Sequence, residues 1–393
     1  MSKSGKFVVG QIGCGAFAMS QHGPNSVRNP NISKIKWACD VNSASAASYA
    51  KKFSAERATS SFEDVIRDPE VDIICIATSH EIHVPIIEGA AAAGKHVFCE
   101  KPMAMDESQA YKIIRAVRKG KIKLCVDYMR RMAPGVVALK REWLKHKAAP
   151  RCQPWRYIEK PRGKLLEEKA TDFLVRVQDE SASYRMVHLD PFSGGGLIIG
   201  EAVHWLDLAC WLFENDRPVE IQAWGSARMR YGIHLTFQSG DAATITMTPN
   251  GTFDYPKELY EIACDGALFR DEFYVENQYY GRPGLERETF PLERDSCPKV
   301  GKQGGLSGFL EKHAHRCAQS SNAKEGWSDL LVDHGYQGMF DGFIDAVIND
   351  TKPPCDELEG YRATYLGQMA MKSIELSKPM TIPVDKWDYY VHV

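Results

Sequence analysis

At 393 residues the chain is long enough for two separately packed cores, and 44% hydrophobic with 25% charged residues is the composition of a globular protein. A formal net charge of -2 excludes the strongly basic balance of a nucleic-acid or anionic-membrane binder, which leaves a small molecule as the expected ligand. The first apolar run, Phe7 to Ile12, is short and interrupted by Gly10, so neither signal peptide nor membrane span is expected and the protein reads as cytoplasmic.

Lys6 to Ile12 reads as a buried parallel strand, and it runs into Gly13, Cys14, Gly15, Ala16, Phe17 and Ala18, which fit G-x-G-x-x-G/A. Gly13 makes the tight turn, Gly15 admits a pyrophosphate close to the backbone, and Ala18 permits close packing of the helix whose amides face the phosphates. Ile35 to Cys39 forms a second strand ending in Asp40, about 20 residues on, where a carboxylate accepts from a ribose 2′-hydroxyl and repels a 2′-phosphate. NAD is therefore expected over NADP. Asp40 also suits the cap of a helix over Ser43 to Phe53.

The pattern repeats with a short helix from Ser61 to Arg67 and a continuous apolar strand from Val71 to Ala77, with Thr78, Ser79 and His80 at its rim. A helix from His83 to Ala93 stops at Gly94, and the strand Val97 to Cys99 ends in Glu100, Lys101 and Pro102, because proline cannot donate to a ladder. A helix from Met105 to Lys119 and a strand from Ile122 to Tyr128 follow. This alternation predicts a Rossmann domain over residues 1–127, a doubly wound parallel sheet with ligands at the carboxyl ends of its strands. Thr78, His80, His83, Glu100 and Lys101 complete its expected cofactor-binding set.

After Tyr128 the alternation stops, and residues 128–393 read as a substrate-binding and oligomerisation domain. A helix from Pro134 to Lys147 leads through a segment rich in charge and proline to Gly194, Gly195 and Gly196 and a long apolar run ending at Leu212. Within that run Glu201, His204 and Asp207 recur three apart, roughly on one helix face, and polar groups on a buried helix need partners or a ligand. Histidine also gains and loses a proton near neutral pH. Val219 to Ala223, Gly232 to Gln238, Ala242 to Thr248, Leu259 to Cys264 and Ala267 to Arg270 predict a mainly antiparallel sheet with one covered face. Residues 276–325 show little periodicity and read as a long loop, and helices from Gly335 to Ile348 and Gly360 to Ser377 close the chain.

The 11 cysteines include no C-x-x-C pair; Cys75, Cys99 and Cys125 fall in predicted strands and read as reduced core residues. His313, His315 and Cys317 alternate, but without a fourth ligand no metal is expected.

The Gly13-Cys14-Gly15 turn, the Glu100-Lys101-Pro102 strand end, Arg131 in Tyr-Met-Arg-Arg-Met-Ala-Pro, and the run from Gly194 to Asp207 together resemble the Gfo/Idh/MocA family of NAD(P)-dependent oxidoreductases over nearly the whole chain. The resemblance implies a Rossmann domain followed by an α/β domain with a large open antiparallel sheet, and oxidation or reduction of a secondary alcohol or ketone on a sugar, cyclitol or polyol; the open sheet predicts pairing with a copy of itself as a homo-oligomer, a dimer or tetramer. It makes Lys101 the catalytic lysine, His204 the catalytic acid/base and Arg131 a substrate contact, and it implies a cis Lys101-Pro102 peptide. Many members carry aspartate four residues before the histidine; here Gly200 stands there with Glu201 beside it, so either Glu201 replaces that carboxylate or the set has no third member. Tyr128, Tyr157 and His188 are expected substrate contacts, with Arg130, Trp155 and Trp205 as further candidates, because sugar sites combine aromatic faces with hydrogen-bond donors. Two other readings share this constellation: an NAD-dependent glycosidase acting by transient oxidation, and a non-catalytic NAD-bound regulator.

Overall fold

The computed structural model describes residues 6–149, 170–179, 195–227, 229–251, 255–290, 305–311 and 332–388. The first half alternates strands and helices as β1 (Phe7–Ile12), α1 (Gly23–Val27), β2 (Ser33–Cys39), α2 (Ser43–Phe53), β3 (Arg57–Thr59), α3 (Phe62–Arg67), β4 (Ile73–Ile76), α4 (His83–Ala92), β5 (His96–Cys99), α5 (Glu107–Gly120) and β6 (Leu124–Val126). All six strands pair in parallel in the order β3-β2-β1-β4-β5-β6, which places a crevice at the carboxyl ends of β1 and β4, where the order reverses. Every residue of β1 and β4 is buried, which is why their sequences are continuous apolar runs.

Several boundaries differ from the sequence reading, and two of them have a visible local cause. The helix expected from Met105 starts at Glu107 because the Asp106 side chain accepts from the Gln109 N–H at 2.8 Å and caps it there. The last strand stops at Val126, since the Tyr128 N–H turns back to the Val126 carbonyl.

The second half contains α6 (Pro134–Ala148), β7 (Thr171–Gln178), α7 (Val203–Leu212), β8 (Pro218–Gly225), β9 (Tyr231–Phe237), β10 (Ala242–Thr248), β11 (Glu258–Cys264), β12 (Ala267–Glu272), β13 (Glu276–Tyr280), β14 (Arg287–Thr289), α8 (Tyr336–Asn349), α9 (Glu357–Leu376), β15 (Met380–Thr381) and α10 (Val384–Asp388). Nine strands form one sheet in the order β14-β13-β12-β11-β7-β10-β9-β8-β15. It is mixed: β7 and β10 run parallel, and the other pairs are antiparallel.

The central strand β7 was not anticipated, although Thr171, Phe173, Val175 and Val177 alternate inward; the charged residues around it in sequence mask the period. The expected loop from 276 is also corrected, because its first residues form β13, whose buried positions include Glu276 and Asn277 and so show no apolar alternation. Helices α6 and α9 pack against this sheet, and α9 also packs on α5 of the first half and on α7. Leu174, Trp224 and Tyr280 stand exposed on the sheet.

Among the described residues no helix is long and apolar enough to cross a membrane. The described cysteines are free, and burial pushes the Cys75 thiol up to about 12.

Candidate functional site

The turn after β1 is shaped for close approach. Gly13 has φ +86°, and a Cβ there would lie 2.2 Å from the Ala77 carbonyl oxygen, so another side chain is excluded by both strain and space. A Cβ on Gly15 would meet nothing within 4 Å, which leaves open space beside its backbone. Asp40 at the end of β2 accepts from the Cys14 N–H with one oxygen and from the Asn42 N–H with the other, both at 2.8 Å. The helix cap expected of Asp40 belongs instead to Asn42, which accepts from the Ala44 N–H at 3.0 Å.

Ala18 is fully buried, and with it begins a π turn, Ala18–His22, that runs into α1. Phe17 is exposed at this turn, whereas the Cys14 side chain points inward and contacts the Cys39 carbonyl, so Cys14 has no side chain to offer a cofactor. Thr78 and His80 lie half-buried at the end of β4. His83 is corrected as a cofactor contact: its ring is fully buried and Nδ1 lies 3.0 Å from the Pro102 carbonyl oxygen, bracing the turn from inside. Glu100 is likewise turned inward.

Lys101 precedes Pro102 through a cis peptide bond. Its ammonium donates to the Gly200 carbonyl at 2.8 Å and to Glu201 Oε1 at 3.0 Å. Those acceptors come from a second π turn, Ile198–Ala202, which leads into α7; a wide turn interrupts the regular ladder and frees a carbonyl for an outside donor. Burial opposes ionisation of Glu201, but the charges of Lys101, Lys257 and Arg130 outweigh it and keep the carboxyl below its usual range.

One turn further, His204 is buried, with its ring edge-on to Tyr128 at 5.7 Å and its Nδ1 without a partner among the described residues. Burial, then the cationic groups Arg130, Lys101 and Lys257, push its pKa well below that of an ordinary imidazole, so the ring is neutral near pH 7. The Tyr128 hydroxyl beside it is buried and has no hydrogen-bond partner among the described residues.

Asp207 leaves this group. It pairs with Arg131 through both carboxylate oxygens, at 2.7 and 2.5 Å, and Arg131 also reaches the Pro354 carbonyl and Glu359 at 3.0 Å each. Arg131 is therefore corrected as a substrate contact: its guanidinium is buried and fully engaged in tying α7 to α9. Arg130 is similarly consumed, bidentate to Glu258 at 2.8 and 2.6 Å and lying 5.1 Å over the Trp205 ring. The Trp205 indole donates to Glu258, so this fully buried residue is a wall, not a sugar platform. Tyr157, His188 and Trp155, like His313, His315 and Cys317, lie outside the described residues.

Sequence reasoning missed Lys257, whose ammonium pairs with Asp179 at 2.6 Å and whose charge acts on both Glu201 and His204. It also missed Tyr260 and Tyr274, whose hydroxyls converge on Glu258, and His334, packed 4.7 Å from Tyr274. The one available signal was Lys257-Glu258 directly before an apolar strand, a pattern shared with solvated strand ends. A separate cavity of about 370 Å³, lined by Arg131, Asp207, Trp211 and Arg362 among others, contains neither Lys101 nor His204.

Residues 7–128 match the model of an oxidoreductase family with an NAD-binding Rossmann fold, Gfo/Idh/MocA. These residues carry the NAD-binding Rossmann fold of that family. It is 23% identical over 388 residues to the uncharacterized oxidoreductase YrbE of Bacillus subtilis (strain 168), covering 96% of this chain and 97% of that one. It is 25% identical over 210 residues to an inositol 2-dehydrogenase/D-chiro-inositol 3-dehydrogenase of Lactiplantibacillus plantarum, spanning 52% of this chain and 53% of the relative. Its fold superposes on that of a levoglucosan dehydrogenase solved in complex with NADH and levoglucosan, with a TM-score of 0.71 and 17% identity, covering 96% of this chain and 100% of the other. The open backbone at Gly15 and the carboxylate at the end of β2 fit the NAD-binding character of the family.

Proposed function

We propose that the protein is an NAD-dependent dehydrogenase that oxidises a secondary alcohol of a sugar, cyclitol or related polyol. The observation that carries this reading is the meeting of the Lys101 ammonium with the π turn that opens the helix bearing a neutral, buried His204. The inositol and levoglucosan dehydrogenases among the similar proteins support the substrate class. In this reading residues 1–127 hold the cofactor and residues 128–393 the substrate.

NAD, when bound, accepts the hydride from the substrate carbon. Gly13 and Gly15 leave its pyrophosphate room at the β1 turn, and Asp40 serves its ribose, favouring NAD over NADP. An ammonium has three N–H donors, and Gly200 and Glu201 take two from Lys101, so one remains for the substrate oxygen where negative charge develops. His204 is already neutral and takes the hydroxyl proton as general base. The buried Tyr128 hydroxyl supplies a further partner at the same place. The uncovered sheet face bearing Leu174, Trp224 and Tyr280 pairs with a second copy of the chain, a state that light scattering of the purified protein tests, with a monomer excluding it.

The test is a panel of sugars, inositols and glycosides assayed for coenzyme reduction with NAD and NADP side by side. NADH accumulating in proportion to a keto product is the expected result. An aglycone released from a glycoside with no NADH would replace the dehydrogenase by a glycosidase. Tight NAD binding without turnover of any member would make the protein a regulator.

A further inference from the structure

Where β5 and β6 end, three ionisable side chains meet in the interior: His22 from the first π turn, Glu100 and Asp127. One ligand atom from each lies within 4.8 Å of the other two, and all three residues are buried. His22 Nε2 stands 2.9 Å from Glu100 Oε1, while Glu100 Oε2 accepts from the Lys101 backbone N–H at 3.3 Å. Both oxygens of Asp127 are buried and accept no hydrogen bond from the described residues. Two carboxylates at this separation, away from water, repel unless a proton lies between them.

The surrounding groups do not remove that need. Two cations act on Asp127 through their charge, but the Arg130 guanidinium is bound to Glu258 and the Lys101 ammonium to Gly200 and Glu201. Cys75, Cys99 and Cys125 contribute thiols that burial keeps protonated. For Asp127 itself, burial and then the charge of Glu100 raise the pKa well above the carboxylate range, with Lys101 and Arg130 opposing. Neither His22 nor Asp127 has a role in the hydride-transfer chemistry.

We propose that Asp127 is a positioning residue: it carries a proton that it donates to Glu100, and the resulting His22–Glu100–Asp127 chain fixes the backbone turn from which Lys101 reaches the substrate oxygen. The positioning role rests on the dehydrogenase reading above; the shared proton does not. Loss of that proton at high pH sets two carboxylates against each other under the Lys101 amide, so turnover falls as pH rises through the ionisation of Asp127.

Asp127→Asn retains an N–H donor and cannot ionise. It is expected to turn over near the wild-type rate at neutral pH and to keep that rate at alkaline pH where the wild type declines. Asp127→Ala removes the Asp127 donor from Glu100, and turnover falls about tenfold, the order for losing one hydrogen bond to a buried charge. An alkaline limb unchanged in Asp127→Asn would overturn the proposal. Infrared spectroscopy of the wild-type protein reads the proton with no substrate present, at a pH above the value of about 7 to which burial pushes Asp271. A carboxylic-acid C=O band there, absent from Asp127→Asn, is expected, and no band overturns the proposal even if the variants fail to fold. Metal analysis supplies the remaining arm, since a stoichiometric transition metal lost in His22→Ala would put a cation in place of the proton. A protein with the band but no dehydrogenase turnover would defeat the reading of the reaction and leave the shared proton standing.

Discussion

Lys101 Nζ meets Glu201 Oε1 at 3.0 Å, joining the rim of the first sheet to the π turn before α7 across a hundred positions of sequence. The carboxylate that many family members carry at the preceding position is absent, since residue 200 is glycine, and Gly200 contributes its carbonyl while Glu201 contributes the charge. Glu201→Gln keeps an acceptor but removes the charge, so we expect kcat to fall about tenfold or more, with coenzyme affinity little changed. Steady-state kinetics with a parallel coenzyme titration checks this, and a change in coenzyme affinity alone would point to a different role.

The pH dependence follows from His204. Its folded pKa is depressed by burial and by Arg130, Lys101 and Lys257, so the catalytic base stays neutral below the ordinary histidine value of about 6.5. The acid limb of kcat/KM is therefore expected below that value. Replacing Lys101 by Met removes one of the cations and moves the residual limb to higher pH. The depressed His334, at about 4, also links folding to pH: the unfolded chain takes up its proton first, so this contribution to stability is present above about 6.5 and lost as pH falls through 4. Thermal melts across that window read the second effect, and a stability that rose on acidification through it would contradict the assignment.

Asp40 decides the coenzyme. Asp40→Ala removes the acceptor for the Cys14 and Asn42 amides as well as the carboxylate that repels a 2′-phosphate. NAD affinity is expected to fall about tenfold and the NAD to NADP preference to shrink, read by fluorescence titration of both reduced coenzymes. An unchanged preference would place the discrimination elsewhere.

Arg131 separates packing from recognition. Removing it strands Asp207 in the interior, and breaking a buried pair costs about 3–5 kcal/mol. Arg131→Ala is thus expected to lower the urea midpoint strongly, with KM near the wild-type value in the protein that remains folded. A raised KM at unchanged stability would restore the substrate contact.

The Rossmann half was legible because a parallel sheet buried on both faces leaves continuous apolar runs, each answered by a helix. Lys101 was legible because Pro102 ends its strand. The two π turns were not, since an extra residue within a helix shows in its hydrogen-bond ladder and not in its composition. Nor were Arg131–Asp207, 76 residues apart, or Arg130–Glu258, 128 apart, because a buried ion pair between distant segments has no local signature. Strand β7 shows the same limit from the opposite side: its alternation is present, yet its place at the centre of the second sheet is set by β10 and β11.

The most direct test is the turnover of Lys101→Ala and His204→Ala on the substrate that the wild type oxidises fastest, with NAD affinity measured on the same preparations. Positioned acid-base groups contribute about 10²-fold or more, so each variant is expected to lose at least that much kcat while binding NAD as the wild type does. Near-wild-type turnover in the Lys101 variant would contradict the account.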